Sequence, residues 1–265
     1  MNKGTTEGTV EEVNLVVTLN RKNKVSYWKI LDLNPDDCFA IHVIGHKFGK
    51  INGAAVKPKA DIFIARGSVP PDRLRQDEYY LNESSIDKYK LLPLKFTGIS
   101  VKRVDSYNYQ ITKMNPSTFK KIFGAYELGA GASIYCKKYS DLDRNNSVIR
   151  GWMTGWPGFN KYFQRRYNID AGLLNDSSGE SKTRLSIAKT IKQHSNKEIE
   201  RKINNNKRIS DFIFQGIGNF EEPYTAHWLY EHGILKKAGP IQYCVTTGSG
   251  RSRGDFTVVI KPVKH

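Results

Sequence analysis

Two short stretches hold the residue types best suited to chemistry. The first reads Val56-Lys57-Pro58-Lys59-Ala60-Asp61-Ile62-Phe63-Ile64 and the second Gly98-Ile99-Ser100-Val101-Lys102-Arg103. Each contains a β-branched, apolar run that suits a short buried strand, and each sets a polar or charged group at the strand's edge. If the two strands are neighbours, Asp61 and Lys102 meet. A carboxylate there can hold a hard divalent cation, and an ammonium beside it can orient and help deprotonate an attacking water. That combination suits metal-assisted phosphodiester hydrolysis.

Lys59-Ala60-Asp61-Ile62 followed by Ser100-Val101-Lys102 resembles the PD-(D/E)XK nuclease superfamily, and in particular the type II restriction endonucleases. In that family an Asp opens one strand of a mixed sheet, and an acidic or polar residue, any residue and a Lys close the next. Two departures are visible. Pro58 is displaced from the position just before Asp61, and Ser100 stands where Asp or Glu is usual, offering only a neutral oxygen. The resemblance covers residues 56–104 directly. It implies an α/β fold with a mixed central β-sheet flanked by helices, a restriction-endonuclease-like core carrying an aromatic and basic DNA-recognition elaboration. It further implies Mg²⁺ as cofactor, double-stranded DNA as partner, and sequence-specific hydrolysis leaving 5′-phosphates, as in a restriction-modification system. Asp61 would be the principal metal ligand. Lys102 would be the water-orienting base or the stabiliser of transition-state charge, and Ser100 the atypical motif position. Family members often carry a helix before the core that lends an acid to the metal, a part Glu11 or Glu12 would play here. Otherwise both simply decorate a helix N-terminus, where carboxylates favour the dipole. Glu83 and Asp87 are further candidates for the missing ligand, with no spacing that singles either out. A homodimer suits a palindromic site, and a monomer that nicks each strand in turn serves equally.

The positioning elements follow from periodicity and turn signals. Val13, Val16 and Val17 with Asn20 and Lys24 have helical spacing, so residues 7–31 read as an amphipathic helix. Residues 38–45 read as a buried strand after the Asn34-Pro35-Asp36-Asp37 turn. His42 and His46 lie four apart without a third ligand, which favours ordinary hydrogen bonding over metal binding. Asn115-Pro116-Ser117 starts a helix that Phe119, Ile122, Phe123 and Tyr126 continue. From 127 to 180 glycines alternate with aromatics and arginines, a composition that suits loops following a DNA groove or, equally, a small aromatic core with exposed arginines. Arg144, Arg150, Arg165 and Arg166 are the candidate DNA contacts of this region, and Lys113, which precedes it, is another. Residues 182–208 read as a basic helix with an apolar stripe. Residues 211–216 read as a strand and 224–232 as a helix ending at Gly233. Residues 240–247 and 255–261 read as a hairpin whose tip offers Arg251 and Arg253 to a groove. Residues 1–126 then form the catalytic core, and 127–265 the recognition region with the remaining sheet and hairpin, as parts of one continuous domain.

Composition supports a folded, nucleic-acid-directed protein. At 265 residues, with 38% hydrophobic and 11% aromatic content, the chain can bury a substantial core. Its 42 Lys and Arg against 26 Asp and Glu leave +16, an excess that favours a polyanionic partner through counterion release. Cys38, Cys136 and Cys244 are far apart and odd in number, so neither a zinc site nor a disulfide framework is indicated. The start lacks a signal-peptide run and no stretch reaches membrane-spanning length, which points to the cytoplasm. Two other function classes fit the same residues. One is a non-catalytic DNA- or RNA-binding protein in which Asp61 and Lys102 form a structural ion pair. The other is a repair or structure-specific nuclease that cuts regardless of sequence.

Overall fold

A computed structural model describes residues 3–103, 109–136, 142–175, 181–247 and 256–263. The chain opens with helices α1 (Lys3–Asn20) and α2 (Val25–Leu31), followed by strands β1 (Cys38–His42), β2 (Lys47–Phe48), β3 (Ala55–Val56) and β4 (Ile62–Arg66). Short helices α3 (Pro71–Gln76) and α4 (Ser84–Tyr89) lead to β5 (Leu92–Pro93), β6 (Ile99–Val101) and β7 (Thr112–Met114). Six helices come next: α5 (Pro116–Phe123), α6 (Tyr126–Ser133), α7 (Leu142–Gly151), α8 (Trp156–Tyr167), α9 (Ser181–Asn205) and α10 (Lys207–Gln215). Strands β8 (Trp228–Glu231), β9 (Ile234–Lys237), β10 (Tyr243–Thr247) and β11 (Val258–Pro262) close the chain. By contacts these elements form two units, Met1–Tyr109 with Ser210–Pro240, and Gln110–Ile209 with Ile241–His265. The chain thus leaves the first unit after Tyr109 and re-enters it inside α10.

The first unit is a mixed α/β layer structure. Its central sheet runs β1-β4-β6-β8-β9, with β5 pairing β4. β1, β4 and β6 pair antiparallel, whereas β6 and β8 pair parallel. Parallel neighbours need a long crossover, and here the whole Gln110–Ile209 segment lies within it. Alternation along the strands sends Cys38, Ala40, Ile62, Ile64, Ile99 and Val101 against Leu15, Val16 and Leu19 of α1 and Trp28 and Leu31 of α2. Phe39, Ile41, Phe63 and Ala65 enter a second core with Leu74, Leu81 and Leu91. Helices therefore cover both faces, as strands apolar on both sides require. Asn20 pins the end of α1 to β1: its side chain accepts from Ala40 N at 2.7 Å and donates to Ala40 O and Tyr79 O, both at 3.0 Å.

The helix expected over residues 7–31 is broken into α1 and α2, and two further segments exchange helix for strand. Residues 211–216 belong to helix α10, not a strand. Asn206 Oδ1 accepts from the amides of Arg208 and Ile209, and Gly216, at φ +73°, ends the helix. Phe212, Ile213 and Phe214 are buried, and a short apolar run carries no periodicity that separates helix from strand. Residues 224–232 do not form a helix. They end in β8, which turns through His232 (φ 51°) and Gly233 (φ 77°) into β9. Two consecutive positive φ values are the backbone of a tight hairpin turn, and the Gly read as a helix stop is instead its second turn residue.

The second unit combines helices α5 to α9 with the sheet β10-β11-β7. β10 and β11 pair antiparallel as the expected hairpin, while its tip, with Arg251 and Arg253, lies outside the described residues. Asn115 caps α5 by accepting from Thr118 N at 2.8 Å. The glycines of α6 serve close packing. A Cβ on Gly129 would stand 2.1 Å from the Trp152 ring, and one on Gly131 2.3 Å from Ser195 Oγ. Trp152, Phe119, Phe159 and Phe163 are fully buried. These glycines and rings therefore form an aromatic core, and the arginines stand outside it. No helix among the described residues is long and apolar enough to cross a membrane.

Candidate active site

β4 and β6 are neighbours, and their facing ends bring the two motifs together. Asp61 immediately precedes β4, and its amide donates to Ile99 O at 2.9 Å. Its carboxylate Oδ2 accepts from Val101 N at 2.8 Å. Ile99 and Val101 point into the core, so alternation turns Ser100 and Lys102 the other way. Ser100 Oγ lies 3.4 Å from Asp61 Oδ2 and accepts from Lys102 Nζ at 2.7 Å. The serine thus bridges the carboxylate and the ammonium. Lys102 is also packed over the ring of Tyr109, 5.5 Å from its centroid, and Tyr109 donates to Glu231 Oε1 at 2.7 Å.

The α1 acids divide. Glu12 is buried, held by His42 Nε2 at 3.0 Å and approached by Lys57 Nζ at 3.9 Å. His42 in turn meets Tyr80 OH at 2.8 Å through Nδ1, so both of its ring nitrogens are hydrogen-bonded. Glu11 is half-exposed and acts on Tyr230 instead. Glu83 is committed elsewhere, accepting from the amides of Ile44 and Gly45 and from Tyr224 OH and pairing with Lys47 at 2.8 Å. Of the four acids weighed beside Asp61, Glu12 is the one whose charge acts on it.

The electrostatics of the cluster are those of crowded, poorly hydrated charge. Burial pushes the Asp61 carboxyl above its ordinary value; Lys102 opposes this, and the like charge of Glu12 adds to it. Lys59, two residues before Asp61, is brought down to about 7 by burial and then by the Lys102 charge, against the pull of Asp61. Its Nζ donates to Ile213 O on α10 at 2.9 Å. Nothing local in the sequence marks Lys59 in this way, because its carbonyl partner lies 154 residues on.

The donor set fits a small hard dication. Among the described residues Asp61 Oδ1 takes no hydrogen bond, and a cation beside it would offset the like charge of Glu12, which adds to the burial that raises the Asp61 pKa. No group of three or more His, Cys, Asp or Glu side chains comes together among the described residues. Two carboxylates and a hydroxyl suit Mg²⁺, which keeps several waters and takes one or two protein carboxylates with substrate phosphates.

The candidate DNA contacts all belong to the second unit. Lys113 lies exposed on β7, Arg150 ends α7, and Arg165 and Arg166 end α8. Arg144 packs over Tyr135 at 5.5 Å and Arg166 over Tyr162 at 5.0 Å. Charge is divided unevenly between the units. Gln110–Ile209 with Ile241–His265 holds 23 Lys and Arg against nine Asp and Glu, while the remainder holds 19 against 17. The carboxylate cluster therefore sits in a nearly neutral unit and the basic excess in the other. No protein-family model matches the chain, and no curated protein matches it in sequence.

Proposed function

We propose that the chain is a Mg²⁺-dependent endonuclease of the PD-(D/E)XK restriction type, cutting double-stranded DNA at a specific sequence. The observation that carries this reading is the Asp61–Ser100–Lys102 bridge at the facing ends of β4 and β6, with the Glu12 charge acting on Asp61. Asp61, with Glu12, would hold the ion. Bound Mg²⁺ supplies charge to the scissile phosphate and lowers the pKa of water. Lys102 orients the attacking water and donates to a phosphoryl oxygen as charge develops there. Ser100 holds the Lys102 ammonium against the carboxylate, in the position where the family motif usually has an acid. The water oxygen bonds to phosphorus, the bond to O3′ breaks, and the water's protons pass to the leaving 3′ oxygen and to solvent, leaving a 5′-phosphate. The basic second unit supports duplex binding, and a homodimer would match a palindromic site.

One observation favours a second reading. Ser100 already gives Lys102 a hydrogen-bond acceptor, as it would in a purely structural ion-pair network within a non-catalytic nucleic-acid-binding protein. Digestion of phage and plasmid DNA, with Mg²⁺ present or chelated, separates the two. Discrete Mg²⁺-dependent fragments that vanish in Asp61→Ala and Lys102→Ala are expected. Binding without cutting by the wild type supports the second reading, cutting that survives both substitutions places the chemistry elsewhere, and cutting without discrete bands indicates a structure-specific nuclease.

A further inference from the structure

Helix α9 sorts its cations by face. Ala188, Ile191, Ser195, Ile199 and Ile203 are buried, and the helix packs on α6 through this stripe. Lys192 and Lys202 flank the stripe and are committed: Lys192 Nζ lies 3.4 Å from Ile134 O, and Lys202 approaches Glu198 at 3.9 Å. Arg201 takes both oxygens of the same Glu198 at 2.8 Å. On the opposite face Lys182, Lys189 and Lys197 are exposed, and none makes an ion pair or hydrogen bond with a described residue. Their separations of seven and eight residues correspond to about 10.5 and 12 Å along the axis. No acid lies within one turn of Lys182 or Lys189 in the helix, and Glu200 stands three residues from Lys197 without pairing to it. An ordinary solvated helix offsets its lysines with acids at i,i+4, and this face does not. Its flank continues through the His194 and Tyr167 rings, 5.0 Å apart, toward Arg166 at the end of α8.

We propose that the face of α9 bearing Lys182, Lys189 and Lys197 docks on the phosphate backbone of duplex DNA without reading bases. The inference rests on the nuclease reading for its partner, and on the arrangement of α9 for its place. Flexible ammonium arms suit point contacts to phosphates, whereas bidentate base reading falls to arginine.

The test measures duplex affinity against salt with the metal chelated, for the wild type, for Lys182→Gln/Lys189→Gln/Lys197→Gln, and for the same three positions changed to Arg. Each lost phosphate contact removes about 0.9 from the slope of log K against log salt. The glutamine variant is expected to lower the slope by about 2.7 and to weaken binding equally on unrelated duplexes, with an unchanged circular dichroism spectrum. The arginine variant is expected to keep the wild-type slope. A wild type that binds while the glutamine variant matches its slope and affinity overturns the docking face and leaves the nuclease reading standing. Loss confined to one sequence also overturns it, since the face would then read bases. A wild type that binds no duplex overturns both readings.

Discussion

Asp61 is costly to the fold. Its carboxyl is drawn out of water between strand ends and beside Glu12, and its folded pKa is raised for that reason. A carboxyl with a raised folded pKa favours the native state only while protonated. Below its unfolded value of about 3.9 it adds no penalty, and as pH rises through the folded value the native state must ionise it against burial. Asp61→Asn, which keeps an acceptor for Val101 N, is therefore expected to raise Tm by about 2–4 °C at pH 7, the shift that roughly 1 kcal/mol produces in a chain of this size. The gain should fade as pH falls toward 4, and cutting should be lost throughout. Thermal melts across pH check this, and an Asn variant less stable than wild type at pH 7 would show that the carboxylate is instead a stabilising partner of Lys102. On the nuclease reading this is a trade of stability for function, which is common at active sites.

At the scale of elements, α6 shows how small residues determine packing. Gly129 lies against the six-membered ring of Trp152, whose indole Nε1 donates to Ser133 Oγ at 3.0 Å, so α6 holds the ring at two points. A methyl at Gly129 has no space unless the ring or the helix moves. Overpacking of this kind costs about 1–3 kcal/mol. Denaturant unfolding of Gly129→Ala should show that loss, whereas Gly158→Ala, whose added Cβ meets nothing closer than 3.5 Å, should stay near wild type. Equal stability of the two variants would mean that the α6 contact is looser than it stands. The elements also explain why the site forms where it does. β4 begins one residue after Asp61 and pairs with β6 through Ile62 and Ile99, so that single register step delivers Asp61 to Val101 N. A slip by one residue would turn Ser100 and Lys102 into the apolar layer under α1.

For the whole molecule, the decisive property is the partition of charge. With net +14 in one unit and +2 in the other, from the residues counted above, the unit that lacks the carboxylate cluster is the one whose charge would attract a polyanion. Binding through six or more phosphates falls about a thousandfold or more between 50 and 200 mM salt. The same steepness is expected for wild-type protein and for Asp61→Ala when the metal is chelated. A shallow salt dependence would show that the basic excess serves something other than a polyanion.

The apolar runs, the Asn115 cap and the basic amphipathic stretch of α9 were legible in the sequence, because each is a local pattern of side-chain period or capping chemistry. So were Asp61 and Lys102 as candidates, since short strands with polar edges declare themselves, while Ser100 entered only through the resemblance to the nuclease motif. The choice of Glu12 over Glu11 was not, because it depends on which way α1 is rolled against Ala40 and His42. Nor were the helix over Phe212–Phe214 and the hairpin at His232–Gly233, where short segments take their form from the strands and helices they pair with rather than from their own composition. Sequence determined which residues were available for chemistry. Tertiary structure decided which of them meet, because partners 39 to 154 residues apart are joined only by strand register and helix packing.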